Sequence, residues 1–388
     1  MTSIIAGARE GAAVTLSERH LTVPLTTGDA RFHYVWLRDN CWCERCRVSQ
    51  AGERRLWTGS IPPDLAPAEV RRDPDGTLHV TWDDGHESSY AEAWLDAHDY
   101  SRPAAPAAAD EPVLWDSSLS AVPTFEHADV VGTRAGMLAY LDAMRRHGIA
   151  RVRDTPRVPG EVERFGQTVG HLRETAFERV HNVCHDPMGY SVAHTTLELP
   201  PHTDMPSYHW PPSVQLLHFL VNEATGGEST FTDGWAVLAD LRRDDPAAFA
   251  TLARVPVRFQ LFSADEDTQA SAPMVQLEPD GRVRTLRFSN QLAQPLAAPF
   301  DEVEEFYRAY RVLASMVDGG RYTVQLRSTA GDLLSIHGHR VLHGRRAFDP
   351  ASGARHLQDA YLELDDLLAR RRVLLGSHLP VSAATGTR

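Results

Sequence analysis

His202-Thr203-Asp204, together with a histidine-rich segment far downstream, constrains this chain more than any other feature. Two imidazoles and one carboxylate are the facial set that holds non-haem Fe(II) on one side and leaves the opposite positions open. Oxygen chemistry needs those open positions, because both O2 and a co-substrate must reach the metal. The second imidazole must come from far away in sequence, and residues 335–345, Ser-Ile-His-Gly-His-Arg-Val-Leu-His-Gly-Arg, offer His337, His339 and His343. Spacing alone does not choose among them. Any choice requires distant segments to meet, as two strands of one barrel would. His202 follows Pro200-Pro201 at the end of an expected strand, and Asp204 shares its face if the chain stays extended. Arg355 stands twelve residues beyond the last of these histidines, and its planar fork suits a dicarboxylate co-substrate. With 19 histidines in the chain a lone His-x-Asp says little, whereas the full constellation says much.

A chain of 388 residues can bury a large core and is expected to form two domains. Its net charge of -13 argues against a general phosphate-backbone binder, so nucleic acid is not an expected partner. All 39 basic residues are arginine, which excludes Schiff-base and pyridoxal-phosphate chemistry and any P-loop lysine. No apolar run approaches the ~18 residues a membrane helix needs, and residues 1–15 lack the features of a signal peptide. Three of the four cysteines crowd into residues 41–46, unlike a secreted disulfide framework. The expected setting is the cytoplasm.

Residues 14–100 read as short strands, with Asp73-Pro74-Asp75-Gly76 and Asp84-Gly85 as turns, and domain boundaries are expected at 1–100 and 121–388. The 101–120 stretch between them is the expected linker, its Pro- and Ala-rich part spanning 101–112. A helix is predicted from Thr133 as N-cap to His147, ended by Gly148, with Met137, Leu138, Leu141 and Met144 on one face. Further helices are predicted around 162–172, from Pro246, and around 303–313. Strand-like runs lie at 213–221, 255–262, 282–289, 321–327, 332–337 and 357–364. Helices followed by many strands without regular alternation predict a strand-rich α+β domain built on a sandwich or jelly roll.

Cys41, Cys43 and Cys46 lie close enough to bind one Zn(II), with His86 as the fourth ligand. A filled Cys3His set leaves no position for water, so the site is expected to be structural. Cys184 stands alone and reads as a buried thiol rather than a nucleophile.

The segments His202-Thr203-Asp204-Met205-Pro206, Trp210 to His218, Gly226-Gly227-Glu228-Ser229, Val341 to Arg346 and Arg355 to Tyr361 resemble the γ-butyrobetaine and trimethyllysine hydroxylases. These belong to the taurine-dioxygenase-like 2-oxoglutarate enzymes, and the resemblance runs from about residue 14 to 372. It implies a double-stranded β-helix, His343 as the remaining iron ligand, Arg355 on the distal carboxylate of 2-oxoglutarate, and Ser229 within reach of the same co-substrate. It also implies an N-terminal zinc domain, which agrees with the cysteine cluster, and a homodimer. In those enzymes an aromatic cage holds a trimethylammonium head by cation–π attraction. The corresponding positions here are Phe177, His181, His194 and Tyr361, so two walls become imidazoles. Asn290 matches an asparagine that helps hold the substrate carboxylate.

The expectation is an Fe(II)- and 2-oxoglutarate-dependent dioxygenase that hydroxylates an unactivated carbon of a small amino-acid-like or betaine-like metabolite, consuming O2 and releasing succinate. The altered cage makes γ-butyrobetaine an expected poor substrate, though an authentic γ-butyrobetaine hydroxylase is an alternative. A metal-binding sensor or scaffold has no use for a co-substrate clamp such as Arg355. A metal hydrolase would call for His-Glu-x-x-His or a two-metal cluster, and neither is evident.

Overall fold

Alternation of apolar and polar residues builds most of this structure, a computed structural model that describes residues 4–5, 13–48, 51–102, 111–184, 195–263 and 265–376. His20–Leu25 buries every second side chain, as a strand with one face on a core must. The chain divides into two units, residues 1–108 with 375–388, and residues 109–374.

The first unit contains a four-stranded sheet, Ile4–Ile5, Val14–Leu16, His20–Leu25 and Gly28–His33, and a three-stranded sheet, Pro67–Arg72, Leu78–Trp82 and Glu87–Tyr90. Leu21, Phe32, Leu37, Val80, Trp82 and Trp94 belong to its core. The turn expected at Asp73–Gly76 joins Arg72 to Leu78 in register, and Gly76 takes the left-handed conformation it requires (φ +89°). Two short helices, Tyr34–Asp39 and Glu92–Ala97, were not anticipated, each being too short to show a helical period.

In the second unit a six-stranded sheet runs in the order His181–Cys184, Arg355–Leu362, Val214–Asn222, Leu333–His337, Ile149–Arg153, Thr124–Glu126. A four-stranded sheet runs Leu199–His202, Val341–Arg345, Ser229–Asp233, Thr323–Leu326. Helix Arg134–His147 packs on the larger sheet. Thr133 caps it by accepting from the Gly136 N–H, and Gly148 (φ +71°) ends it. Tyr140, rather than Leu138, completes its buried face, because the Tyr140 hydroxyl donates to Ser335 Oγ (2.8 Å) in the core. Pro246–Arg254 and Phe300–Asp318 form as helices and share a separate core with Gly234–Asp244.

The stretch 111–120 is not free linker. Trp115 is buried, its backbone N–H donates to Asp233 Oδ2 (3.0 Å), and its indole donates to the His147 carbonyl (2.7 Å). The more Pro-rich 103–110 lies outside the described residues. Cys184, expected to be buried, is exposed on the edge strand of the larger sheet. Among the described residues no helix is long and apolar enough to cross a membrane.

Asp233 anchors several of these pieces. It pairs with Arg340 at 2.7 and 3.0 Å, both side chains being fully buried, and it also caps helix Gly234–Asp244. Removing one member of a buried pair strands the other charge, at a cost of about 3–5 kcal/mol. Asp233→Ala should therefore lower the stability of the second unit by about that amount in denaturant titration. A loss below about 1 kcal/mol would contradict the anchoring role.

Candidate active site

Strand pairing does what the sequence spacing required. His202 ends Leu199–His202 and pairs directly with His343 on the antiparallel strand Val341–Arg345. The chain then turns at Met205, whose φ of +48° lies in the left-handed region that non-glycine residues rarely adopt. This leaves Asp204 Oδ1 3.3 Å from His202 Nε2 and 3.7 Å from His343 Nε2. Ligands about 2.1 Å from a metal on one octahedral face are about 3 Å apart, so the three atoms fit a facial site with little adjustment. His337 and His339 are buried elsewhere and do not join the group; His339 Nε2 faces the Pro211 carbonyl (2.9 Å).

Neighbouring residues prepare the three ligands. His202 Nδ1 lies 2.9 Å from the Pro200 carbonyl, a bond that puts the proton on Nδ1 and leaves Nε2 free to ligate. Asp204 Oδ2 accepts from Gln215 Nε2 (2.6 Å) and the Tyr361 hydroxyl (2.8 Å), which leaves Oδ1 facing the histidines. Burial opposes ionisation of Asp204, but His343, His202 and Tyr361 outweigh it and hold the carboxyl well below its usual range. Burial pushes His343 down to about 4, against the opposing pull of the Asp204 carboxylate.

The group opens onto a cavity of about 320 Å³. Strand Arg355–Leu362 sends Arg355, Leu357, Asp359 and Tyr361 into it, every second residue. Arg355 makes no ion pair among the described residues, and its Nε has no hydrogen-bond partner. Burial, with Arg345 and Arg327 nearby, pulls the guanidinium down to about 10. A cation in that position calls for an anion. Gly227 (φ +74°) passes beside it, where an added Cβ would come within 3.7 Å of Arg355 Nε. Ser229 lines the same cavity, buried on the strand paired with Val341–Arg345.

Of the residues expected to meet substrate, Phe177, His181 and Tyr361 line the cavity, with the Phe177 and His181 rings 5.1 Å apart. His194 lies outside the described residues. Asn290 does not line the cavity: it is exposed and accepts from the Tyr310 hydroxyl, while its neighbours Ser289 and Gln291 face inward. Gln215 and Asp359 were given no role from sequence. The signal was there, since each is a polar residue inside an otherwise apolar strand run.

In the first unit Cys41, Cys43 and Cys46 meet His86, whose Nε2 lies 3.3, 3.6 and 3.5 Å from the three sulfurs. A tetrahedral ion with bonds of about 2.3 Å to sulfur and about 2.0 Å to nitrogen places those atoms about 3.5 Å apart. The donors thus fit zinc. Buried Arg38 donates to Cys46 Sγ (3.4 Å) and pairs with Asp84, steadying the turn that carries His86.

An open His-Asp-His set beside a buried arginine is the arrangement of an Fe(II)- and 2-oxoglutarate-dependent dioxygenase, an oxidoreductase class, and relatives agree. The chain belongs to the taurine catabolism dioxygenase TauD, TfdA family, which matches residues 116–361, and residues 13–96 match the γ-butyrobetaine hydroxylase-like N-terminal family. It is 37% identical to a γ-butyrobetaine dioxygenase of Pseudomonas sp. (strain AK-1) over 91% of this chain and 93% of that protein. It is 29% identical to the mitochondrial trimethyllysine dioxygenase of Rattus norvegicus over 92% of this chain and 86% of that one. The fold is shared with AAD-2, solved in complex with Mn(II) and N-oxalylglycine (TM-score 0.50, 18% identity, 64% of this chain and 97% of that one).

Proposed function

We propose that this dioxygenase hydroxylates an unactivated carbon of a small amino-acid-like or betaine-like metabolite, on a double-stranded β-helix that carries iron on His202, Asp204 and His343. The observation that supports it most is the coexistence, in one cavity, of three converging ligand atoms and an Arg355 with no ion-pair partner among the described residues. Fe(II) with 2-oxoglutarate and O2 supplies the oxidising power for C–H cleavage when bound there. The chain's own residues position and shield. Arg355 would grip the distal carboxylate of 2-oxoglutarate and Ser229 would donate to the same group. Gln215 and Tyr361 hold Asp204 in its ligating pose, while Leu199, Leu217, Phe219 and Leu357 give the cavity apolar walls that limit water. A structural zinc on Cys41, Cys43, Cys46 and His86 would staple the first unit.

Substrate choice follows from the walls. Phe177 and His181 line the place where a cation head would sit, and imidazole is a poor cage wall for a quaternary ammonium. A second reading, γ-butyrobetaine as the substrate, is favoured by the 37% identity to the bacterial γ-butyrobetaine dioxygenase. A screen of succinate formation against small betaines and amino acids separates the two. The expected result is stimulation by an amino-acid-like compound and weak stimulation by γ-butyrobetaine; the reverse ranking would establish the second reading.

A further inference from the structure

Asp359 occupies a place in the cavity that the chemistry above does not use. It is 6% exposed, and it sits on the same face as Leu217 and His181, its register partners on the two flanking strands. Among the described residues its Oδ1 has no hydrogen-bond partner. Among those residues its Oδ2 has only long contacts, 3.3 Å from the Tyr361 hydroxyl and 3.4 Å from Gln215 Nε2. Both neighbours make their shorter bonds to Asp204, at 2.8 and 2.6 Å. Tyr361 has a single O–H to give, so Asp359 is left with at most one weak donor for up to four acceptor sites.

Among the described residues Asp359 makes no ion pair. Arg355 lies four residues along the same strand, about 13 Å away at ~3.3 Å per residue, so the co-substrate's anchor is not its partner. A buried carboxylate with no cation and at most one weak donor is costly, and burial together with the Asp204 charge pushes Asp359 up to about 8.

We propose that Asp359 is the partner of the substrate's positive head, and that this head carries N–H bonds, as an ammonium or guanidinium does. The inference rests on the dioxygenase reading and narrows its substrate class. An N–H-bearing cation supplies both the missing charge and the missing donors, in short charge-assisted bonds. A quaternary ammonium supplies the charge but no donor, and its methyl groups keep the carboxylate at a distance. His181, opposite Asp359, adds a polar edge to the same spot.

The test is calorimetric binding under anaerobic conditions to the enzyme loaded with Fe(II) and 2-oxoglutarate. The probes are ω-amino acids such as 4-aminobutyrate, each matched in chain length with its N-trimethylated counterpart, which for 4-aminobutyrate is γ-butyrobetaine. The wild type should bind the best primary amine at least tenfold more tightly than its trimethylated partner, and Asp359→Asn should erase most of that ratio. Equal or reversed preference in the wild type, no binding of any primary amine, or an unchanged ratio in Asp359→Asn would each overturn the proposal. The wild-type ratio stands by itself should the variant fail to fold. O2-dependent succinate formation by the wild type, measured alongside, reads the enzyme class separately from its head-group preference.

Discussion

Arg355→Ala should raise the 2-oxoglutarate concentration needed for half-maximal turnover by about thirtyfold or more. The distal carboxylate of the co-substrate would otherwise enter a cavity where Arg355 stands without an acidic partner among the described residues. Deleting one side of a buried, charge-assisted pair typically costs about 2–5 kcal/mol, because the remaining charge is left desolvated and alone. The co-substrate carries that penalty, so the effect falls on its apparent affinity before it falls on the chemistry. Arg355→Lys should recover only part of the loss, since an ammonium cannot make the paired parallel bonds of a guanidinium. A half-saturation within threefold of wild type in the alanine variant would remove Arg355 from this role.

Loss of zinc from Cys41, Cys43, Cys46 and His86 should destabilise the first unit while leaving the second intact. Structural zinc contributes about 10–16 kcal/mol of apparent binding energy in small domains at neutral pH. This unit also has an apolar core around Trp82 and Tyr90, so the net loss should be smaller, about 3 kcal/mol or more. For a domain of this size that corresponds to a melting temperature lower by about 12 °C or more. Five of the eight tryptophans, Trp36, Trp42, Trp57, Trp82 and Trp94, report on this unit, so fluorescence should register the change strongly. Cys43→Ser should reproduce the effect of a chelator. An unchanged melt in both experiments, or purified protein without zinc, would contradict the staple.

Much of this was legible before the fold was known, and the physical reason differs by feature. The helix from Thr133 to His147 declared both ends through its cap and its glycine, and Asp245-Pro246 declared the start of another. His202 and Asp204 were readable as a pair, because two residues apart on extended chain share a face. His343 was not readable from spacing, since three histidines competed within residues 335–345; only strand register distinguishes them, and register is a long-range property. The roles of Gln215 and Tyr361 around Asp204 depend on pairing between Val214–Asn222 and Arg355–Leu362, which local sequence does not encode. Asn290 was misjudged for a related reason: on an irregular turn no period tells which of three consecutive polar residues faces inward. The packing of Trp115 into the second unit was hidden by the Pro- and Ala-rich composition just before it.

The claim on which the rest depends is that His202, Asp204 and His343 together hold the iron that couples O2 to 2-oxoglutarate. Its most direct test is O2-dependent succinate formation from 2-oxoglutarate by Fe(II)-loaded protein, compared across Asp204→Ala, His343→Ala and His337→Ala. The wild type should form succinate, His337→Ala should retain the activity if folded, and Asp204→Ala and His343→Ala should fall to background while keeping wild-type melting behaviour. Undiminished succinate formation by folded Asp204→Ala or His343→Ala would contradict the assignment.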